Sequence, residues 1–200
     1  MSRPLLTCVH VRKDGFVEAS DSYKIIQYNT KKELPVTKFL IPASTASLVI
    51  KFAPTKIAEG AGWVHFKTEK GTTISCRVFE GEYPDASSVI QIKDSVQITL
   101  PSTIEEILER AIVFAKRDHM LDETIAVTIA NNRFKMKSES DGGGWFEEET
   151  NIKYNETPIE FSITPYLLQG ILKESLNCEF ASSKLKFTGE SWVYVLCLKG

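Results

Sequence analysis

The sequence predicts an α+β chain of two repeated lobes, residues 1–92 and 93–200, each an antiparallel sheet backed by helices. Three observations lead there: short strands of period-two alternation, a strand that runs through proline into a short helix, and the recurrence of both in the same order downstream. Between the copies lies FEGEYPDASSVI, residues 79–90. Its Pro84-Asp85 turn separates the end of one alternating run from the start of the next, which marks an ordered connector.

Residues 8–18 read CVHVRKDGFVE, two alternating strands joined by a turn at Lys13-Asp14-Gly15. Residues 126–137 read AVTIANNRFKMK, again two alternating strands, joined at Asn131-Asn132. Setting Val9 against Val127 also sets Phe16 against Phe134, an offset of 118 in both cases. Downstream, Phe39-Leu40-Ile41-Pro42 leads into ASTASLVIKF, and Phe161-Ser162-Ile163-Thr164-Pro165 leads into YLLQGILKES. Each is a strand followed by an amphipathic helix, with proline suited to the first helical turn. A β-hairpin follows each helix, over residues 64–80 and 177–199.

The second lobe carries an opening that the first lacks. Residues 95–100, SVQITL, alternate as a strand, and a helix over residues 102–117 follows Pro101. Ser102 and Glu105 have capping-box spacing, and Ile104, Ile107, Leu108, Ala111, Ile112 and Ala115 make one apolar stripe. The first lobe is therefore expected to lack its opening strand and helix: either the chain is a piece of a longer protein, or something else fills that place.

Composition narrows the chemistry. A net charge of -2 gives no global basic signal, so nucleic-acid binding would need local charge placement. Cys8, Cys76, Cys178 and Cys197 are scattered with no CxxC pair, which favours reduced thiols in a cytosolic compartment over a zinc site. No apolar run approaches the roughly 20 residues of a membrane span, and the N-terminus has no signal-peptide core. Cys8 and His10 share a strand face, but with only His65 and His119 elsewhere no metal-ligand or nucleophile–base pattern emerges. Glu147-Glu148-Glu149 could mimic a magnesium site; as charges on an exposed strand edge they would instead discourage strand pairing. Asp141-Gly142-Gly143-Gly144 lacks the Lys-Ser/Thr of a phosphate-binding loop.

Four segments in order carry a resemblance. Ala19-Ser20-Asp21-Ser22-Tyr23-Lys24-Ile25 is similar to an ATDGHRL-like segment, and Glu82-Tyr83-Pro84-Asp85-Ala86-Ser87-Ser88-Val89 to an RFPDYRRV connector. Tyr166-Leu167-Leu168 resembles an NxxYLLD helix start, and WVYVLCLK at residues 192–199 a YVVMPMR terminus. Together they resemble a divergent bacterial-type DNA polymerase sliding clamp, the beta subunit family, over its middle (incomplete) and C-terminal domains. Asp21-Ser22-Tyr23-Lys24 replaces the usual Asp-Gly-His-Arg, Ala86-Ser87-Ser88 lacks the aromatic and both arginines, and Cys197 stands where proline is usual.

The resemblance implies DNA-clamp lobes and a non-enzymatic function with no cofactor and no metal. Such lobes close into a ring on double-stranded DNA, held without reading sequence, and tether DNA polymerase and clamp-loader peptides in an outer hydrophobic groove. Two lobes per chain would call for three copies in a ring. Carried over, the groove comprises Leu6, Ser20, Ser22, Tyr23, Lys24, Ile25, Pro84, Ser88, Val89, Val195, Leu196, Cys197 and Leu198. Read from the residues alone, Ile25, Val89, Val195 and Leu198 could equally be core. The expected DNA contacts are Arg3, Leu5, Arg110, Lys116, Arg117 and Lys173. Without the resemblance, the helix face bearing Glu106, Arg110, Val113 and Arg117 reads as a solvated surface of mixed charge. An alternative function is a monomeric module that binds clamp-binding peptides without encircling DNA. A third, an enzyme built on a cysteine or carboxylate, has the least in the sequence to recommend it.

Overall fold

The structure, a computed structural model, describes residues 4–199. The chain forms two compact units, Met1–Ser88 with Glu190–Val193, and Val89–Gly189 with Tyr194–Gly200. The division falls a few residues before the boundary expected at 92/93, because Val89 is already tied to the second unit by Lys184 Nζ, which donates to its carbonyl at 3.3 Å. Near the other end, Asn29 N donates to Ser191 O at 2.7 Å and Lys31 pairs with Glu190, which holds that short segment to the first unit.

Unit 1 begins with a 3-10 turn, Pro4–Thr7, and strands β1 (Cys8–Arg12), β2 (Phe16–Ser20), β3 (Lys24–Asn29) and β4 (Lys38–Pro42). They hydrogen-bond in the order β4-β1-β2-β3. The β1–β2 turn needs Gly15 at φ +85°, where an added Cβ would lie 2.1 Å from Lys32 O. Helix α1 (Ala43–Ile50) follows the proline as expected, and β5 (Lys56–Gly60), β6 (Trp63–Lys67) and β7 (Thr73–Arg77) make a second sheet. The core holds Val11, Val36, Phe39, Ile41, Val49, Val64 and Cys76, with Val9 and Val17 packed against it. Alternation thus places one face of β1 and β2 inward, as the period-two pattern demands.

A four-residue helix, α2 (Ser87–Ile90), precedes unit 2's own elements. These are β8 (Val96–Thr99), α3 (Ile104–Ala115), β9 (Ile125–Ala130), β10 (Arg133–Glu139), β11 (Trp145–Asn151), β12 (Ile159–Ile163), α4 (Pro165–Gln169), β13 (Asn177–Ala181), β14 (Lys184–Thr188) and β15 (Trp192–Cys197). One sheet runs β11-β10-β9-β12; the other runs β15-β14-β13-β8. Asn131 and Asn132, at φ +52° and +60°, form the primed hairpin turn that Asn tolerates best among non-glycines. Along α3 the expected stripe faces inward: Ile104, Ile107, Leu108, Ala111 and Ala115 are buried, and Ile112 only partly so.

Several expectations need correction. The helix starts at Ile104 from an N-cap at Thr103 that makes no side-chain capping bond, so the Ser102/Glu105 capping box is not formed. It ends at Ala115, where Lys116 turns extended at ψ 131°, and Arg117 therefore lies beyond the helix rather than two turns along its face. Each lobe closes with three strands, not a hairpin: β5 and the third strand of 177–199 were hidden because KIAEG and the long β13–β15 segment lack a clean break in alternation.

Pairing order repeats between the units: β4-β1-β2-β3 answers to β12-β9-β10-β11, and β5-β6-β7 to β13-β14-β15. Only β8 and α3 have no counterpart among the described residues of unit 1. Register refines the sequence alignment. Val11 pairs with Val17, whereas Ile129 pairs with Phe134. With Val9 matched to Val127, Val17 is therefore the structural equivalent of Phe134, and Phe16 falls one residue early. The first turn spans residues 13–15 and the second only 131–132, so one residue is inserted in the first copy.

Candidate functional site

Unit 1 carries its candidate groove residues around the β2–β3 turn. Asp21 Oδ1 accepts from Tyr23 N and Lys24 N, both at 3.0 Å, and Ser20 Oγ donates to Lys24 O at 2.9 Å. This side-chain scaffold lets Ser22 adopt φ +79° without glycine. Tyr23 and Ser22 are exposed, Ser20, Lys24 and Leu6 are half-buried, and Ile25 is buried, so Ile25 belongs mainly to the core. Leu5 packs onto Gly81, φ +145°, where an added Cβ would lie 2.6 Å from its Cδ2. That contact brings the 3-10 turn against the connector. Arg3 lies outside the described residues.

The connector crosses a cluster that sequence reading missed. Tyr83 stacks on His10, ring centroids 5.0 Å apart, and His10 Nδ1 bonds to Glu18 Oε2 at 2.9 Å. Glu18 is buried, and Gln27 Nε2 donates to it at 2.7 Å, with Arg12 at 3.4 Å. Burial pushes the Glu18 carboxyl up, but the hydrogen bonds from His10 and Gln27 and the charges of His10 and Arg12 outweigh it, leaving it below the usual range. Burial, aided by the Glu18 charge, pushes the Tyr83 phenol to about 12. A cavity of about 640 Å³ opens here, lined by His10, Arg12, Lys38, Tyr83, Pro84 and Asp85 among others. Pro84 is the one expected groove residue in it; Ser88 is exposed on α2. Cys8 is buried and donates to Pro4 O at 3.9 Å, so Cys8 and His10 form no nucleophile–base pair.

In unit 2, Val195 and Leu196 are wholly buried and belong to the core, contrary to a groove surface; Val89, Cys197 and Leu198 are half-buried. Leu198 N donates to Ser183 O at 2.9 Å. Burial raises the thiols of Cys8 and Cys76, and raises Cys178, with some help from the Glu179 charge, to about 12. Cys197 is the cysteine with solvent access.

The cations expected at DNA are engaged. Arg110 makes a bidentate pair with Glu148 at 2.8 and 2.7 Å, Lys116 meets Glu123 at 3.1 Å, and Arg117 meets Asp141 at 3.0 Å. Lys173 shares a small depression with Glu105, Glu109 and Leu172. The Arg110 and Arg117 pairs lie open to solvent and are weak, so a phosphate could compete for those arginines, whereas the Lys116 partner Glu123 is buried. Glu147 and Glu149 are matched by Lys135, Lys137 and Arg133 across β10, an exposed charge ladder on the edge strand rather than a bare carboxylate site.

No protein-family model matches the chain, and no curated protein matches it significantly. Solved structures do. The DNA polymerase III subunit beta from Pseudomonas aeruginosa superposes with TM-score 0.83 at 15% identity, over 100% of this chain and 59% of that one. A DNA polymerase sliding clamp from the same organism gives TM-score 0.80 at 15% identity over 96% of this chain and 58% of that one. A DnaN sliding clamp from P. aeruginosa bound to griselimycin gives 0.81 at 12% identity, over 100% and 60%. The chain thus spans about three-fifths of the length of the clamps it matches, and it has the fold of a bacterial DNA sliding clamp.

Proposed function

We propose that the chain is a DNA sliding clamp, a polymerase processivity factor that encircles DNA as a homo-oligomer and tethers polymerase through an extended apolar peptide. The observation that carries this reading is the duplicated lobe, matched along its whole length to the P. aeruginosa beta subunit at TM-score 0.83. The griselimycin complex of the related clamp supports a ligand surface on this fold. On this chain the expected groove residues with accessible surface are Leu6, Ser20, Ser22, Tyr23, Lys24, Pro84, Ser88, Val89, Cys197 and Leu198, while Ile25 is core in unit 1 and Val195 and Leu196 are core in unit 2. Peptides of this kind bind by a few apolar anchors in pockets and by their backbone on the rim. Arg110, Lys116 and Arg117 would meet phosphates after exchanging their carboxylate partners, with Lys173 as a further cation, which suits contacts that must slide. Nothing in the role requires turnover, a cofactor or a metal. Native mass spectrometry for ring stoichiometry and retention on nicked circular DNA test it; a clamp is released when the circle is cut, and equal release from circle and linear DNA overturns encirclement.

One observation favours a second reading. Arg110, Lys116 and Arg117 all face carboxylates, and α3 itself carries Glu105, Glu106 and Glu109, so the helix is not a basic surface. A monomeric clamp-like module that binds clamp-binding peptides without topological DNA retention has the same fold and would give micromolar peptide binding with no preference for circles.

A further inference from the structure

Alternation along β5, β6 and β7 turns Val64 and Cys76 into the core and turns their neighbours outward. Register sets Gly60, Trp63 and Arg77 in one row across that outward face, Ala58, His65 and Ser75 in the next, and Lys56 beside Lys67 in the third. His65 is half-buried and the others are exposed, Trp63 at 40%. These strands carry a single carboxylate, Glu59, which stands opposite the buried Val64 on the core side and bonds to Thr37.

Among the described residues Lys56, Lys67 and Arg77 have no carboxylate partner, in contrast to Arg110, Lys116 and Arg117. The corresponding face of unit 2 is neutralised. Its β13–β14 hairpin closes at Ala181 and Lys184 as β5–β6 closes at Gly60 and Trp63, so Ala58 answers to Glu179. Glu179 meets Lys186 at 3.7 Å and accepts from Ser95 Oγ at 2.9 Å. The rings of the unit 1 face are arranged to be used. His65 Nδ1 bonds to Ser75 Oγ at 2.8 Å on one side, and an added Cβ at Gly60 would lie 3.2 Å from Nε2 on the other. The imidazole therefore spans the face toward β5, and glycine at position 60 makes the room. Neither a ring nor a cation stacks on Trp63 among the described residues, so its indole face is open. Trp63 and His65 follow one another on the same side of β6, roughly 7 Å apart along the strand.

We propose that this face of unit 1 binds single-stranded DNA, with bases stacked on Trp63 and His65 and the phosphates running past Lys56, Lys67 and Arg77. Cations without carboxylate partners attract a polyanion. The rings choose among polyanions: every base offers a π-face to an open aromatic side chain, and an acidic peptide offers none. The strand must be unpaired, because bases in a duplex stack on one another and cannot reach the rings. Contacts of this kind read no sequence. The face uses none of the residues expected at the peptide groove or at double-stranded DNA. Choosing DNA over RNA rests on the clamp reading above; the surface itself does not.

A fluorescein-labelled oligo-dT of about twelve nucleotides serves as probe, titrated with the full chain and followed by anisotropy. Saturable binding is expected at low salt, with quenching of Trp63 fluorescence in a background where Trp145 and Trp192 are replaced by Phe. Trp63→Ala weakens binding about tenfold, whereas Trp145→Ala on the exposed strand β11 leaves it unchanged. Lys67→Gln and Arg77→Gln, at exposed positions, each flatten the log–log salt slope by about 0.7; they decide the matter if Trp63→Ala lowers the melting temperature. The proposal is overturned by absence of binding, or by binding indifferent to Trp63→Ala, Lys67→Gln and Arg77→Gln. It is also overturned if a duplex or polyglutamate displaces the probe as well as unlabelled oligo-dT does, or if oligo-rU displaces it better. Loss of topological retention with oligo-dT binding intact would remove encirclement and leave this surface standing, and the reverse result would remove the surface alone.

Discussion

Leu172 and Ile50 stand at the same count from the N-caps Thr164 and Pro42 of two corresponding helices, yet their truncations should differ several-fold in cost. Leu172 is 4% exposed beneath α3, so Leu172→Ala removes buried methyl groups and leaves a cavity, a loss of about 2–5 kcal/mol. Ile50 is 73% exposed, and Ile50→Ala should stay within about 0.5 kcal/mol. Urea unfolding separates them in two single-tryptophan backgrounds, Trp145 reporting unit 2 and Trp63 reporting unit 1, with the other two tryptophans replaced by Phe in each. With a urea slope of about 1–3 kcal/mol/M, a loss of 3 kcal/mol moves the unit 2 midpoint by about 1 M or more, while Ile50→Ala leaves the unit 1 midpoint nearly fixed. Equal shifts for the two substitutions would mean that α1 is covered after all, and the structural equivalence of the lobes would fall with it.

Iodoacetamide at neutral pH should add one group to the native chain, at Cys197, because burial raises the other three thiols; peptide mapping that finds Cys178 modified first contradicts this. Glu18, held below the ordinary carboxylate range, adds stability that is present above its unfolded pKa and fades as pH falls through its folded one. Glu18→Gln should therefore lower unit 1 stability at neutral pH and flatten the acid limb of its unfolding curve, read from the Trp63 reporter; an unchanged acid limb disproves the linkage. Arg110→Gln removes one of the cations expected at phosphate and should flatten the salt dependence of DNA binding by about 0.9 in log–log slope. A slope equal to that of the parent removes Arg110 from the phosphate contacts.

Most of the architecture was legible because it was written twice. Hairpins with Gly15 and with Asn131-Asn132 at their turns, a proline at each strand–helix junction, and a 3.6-period stripe in α3 are local signals, and a repeat multiplies the weight of each. What escaped notice depended on register or on solvent. The one-residue insertion at the 13–15 turn shifts every residue of β2 against its apparent partner, and only the pairing of Val11 with Val17 exposes it. The His10–Glu18 pair is a consequence of that register, so alternation alone could place both on one face but not opposite each other. Ile25, Val195 and Leu196 matched a family groove by motif, yet motif position carries no information on depth, and packing put them inside. Likewise Arg110, Lys116 and Arg117 were identifiable as cations, but their carboxylate partners come from β11 and from loops distant in sequence.

The asymmetry between the lobes has an energetic side. Ile104, Ile107 and Leu108 are wholly buried, and each such side chain contributes about 1.5–3 kcal/mol of gross hydrophobic stabilisation. Together they amount to roughly 5–9 kcal/mol, the scale of a whole domain's net stability of about 5–15 kcal/mol. Unit 1 has no equivalent helix among its described residues. It partly compensates with the 30–37 loop, which sends Val36 into the core and Leu34 against it, while Ile26, Tyr28 and Ile50 stay in water. Among the described residues unit 1 closes its core between two sheets and has no helix over the face that bears Ile26, Tyr28 and Ile50. Covering that face lowers the free energy of the folded form and not of the unfolded chain, so whatever covers it stabilises unit 1 selectively.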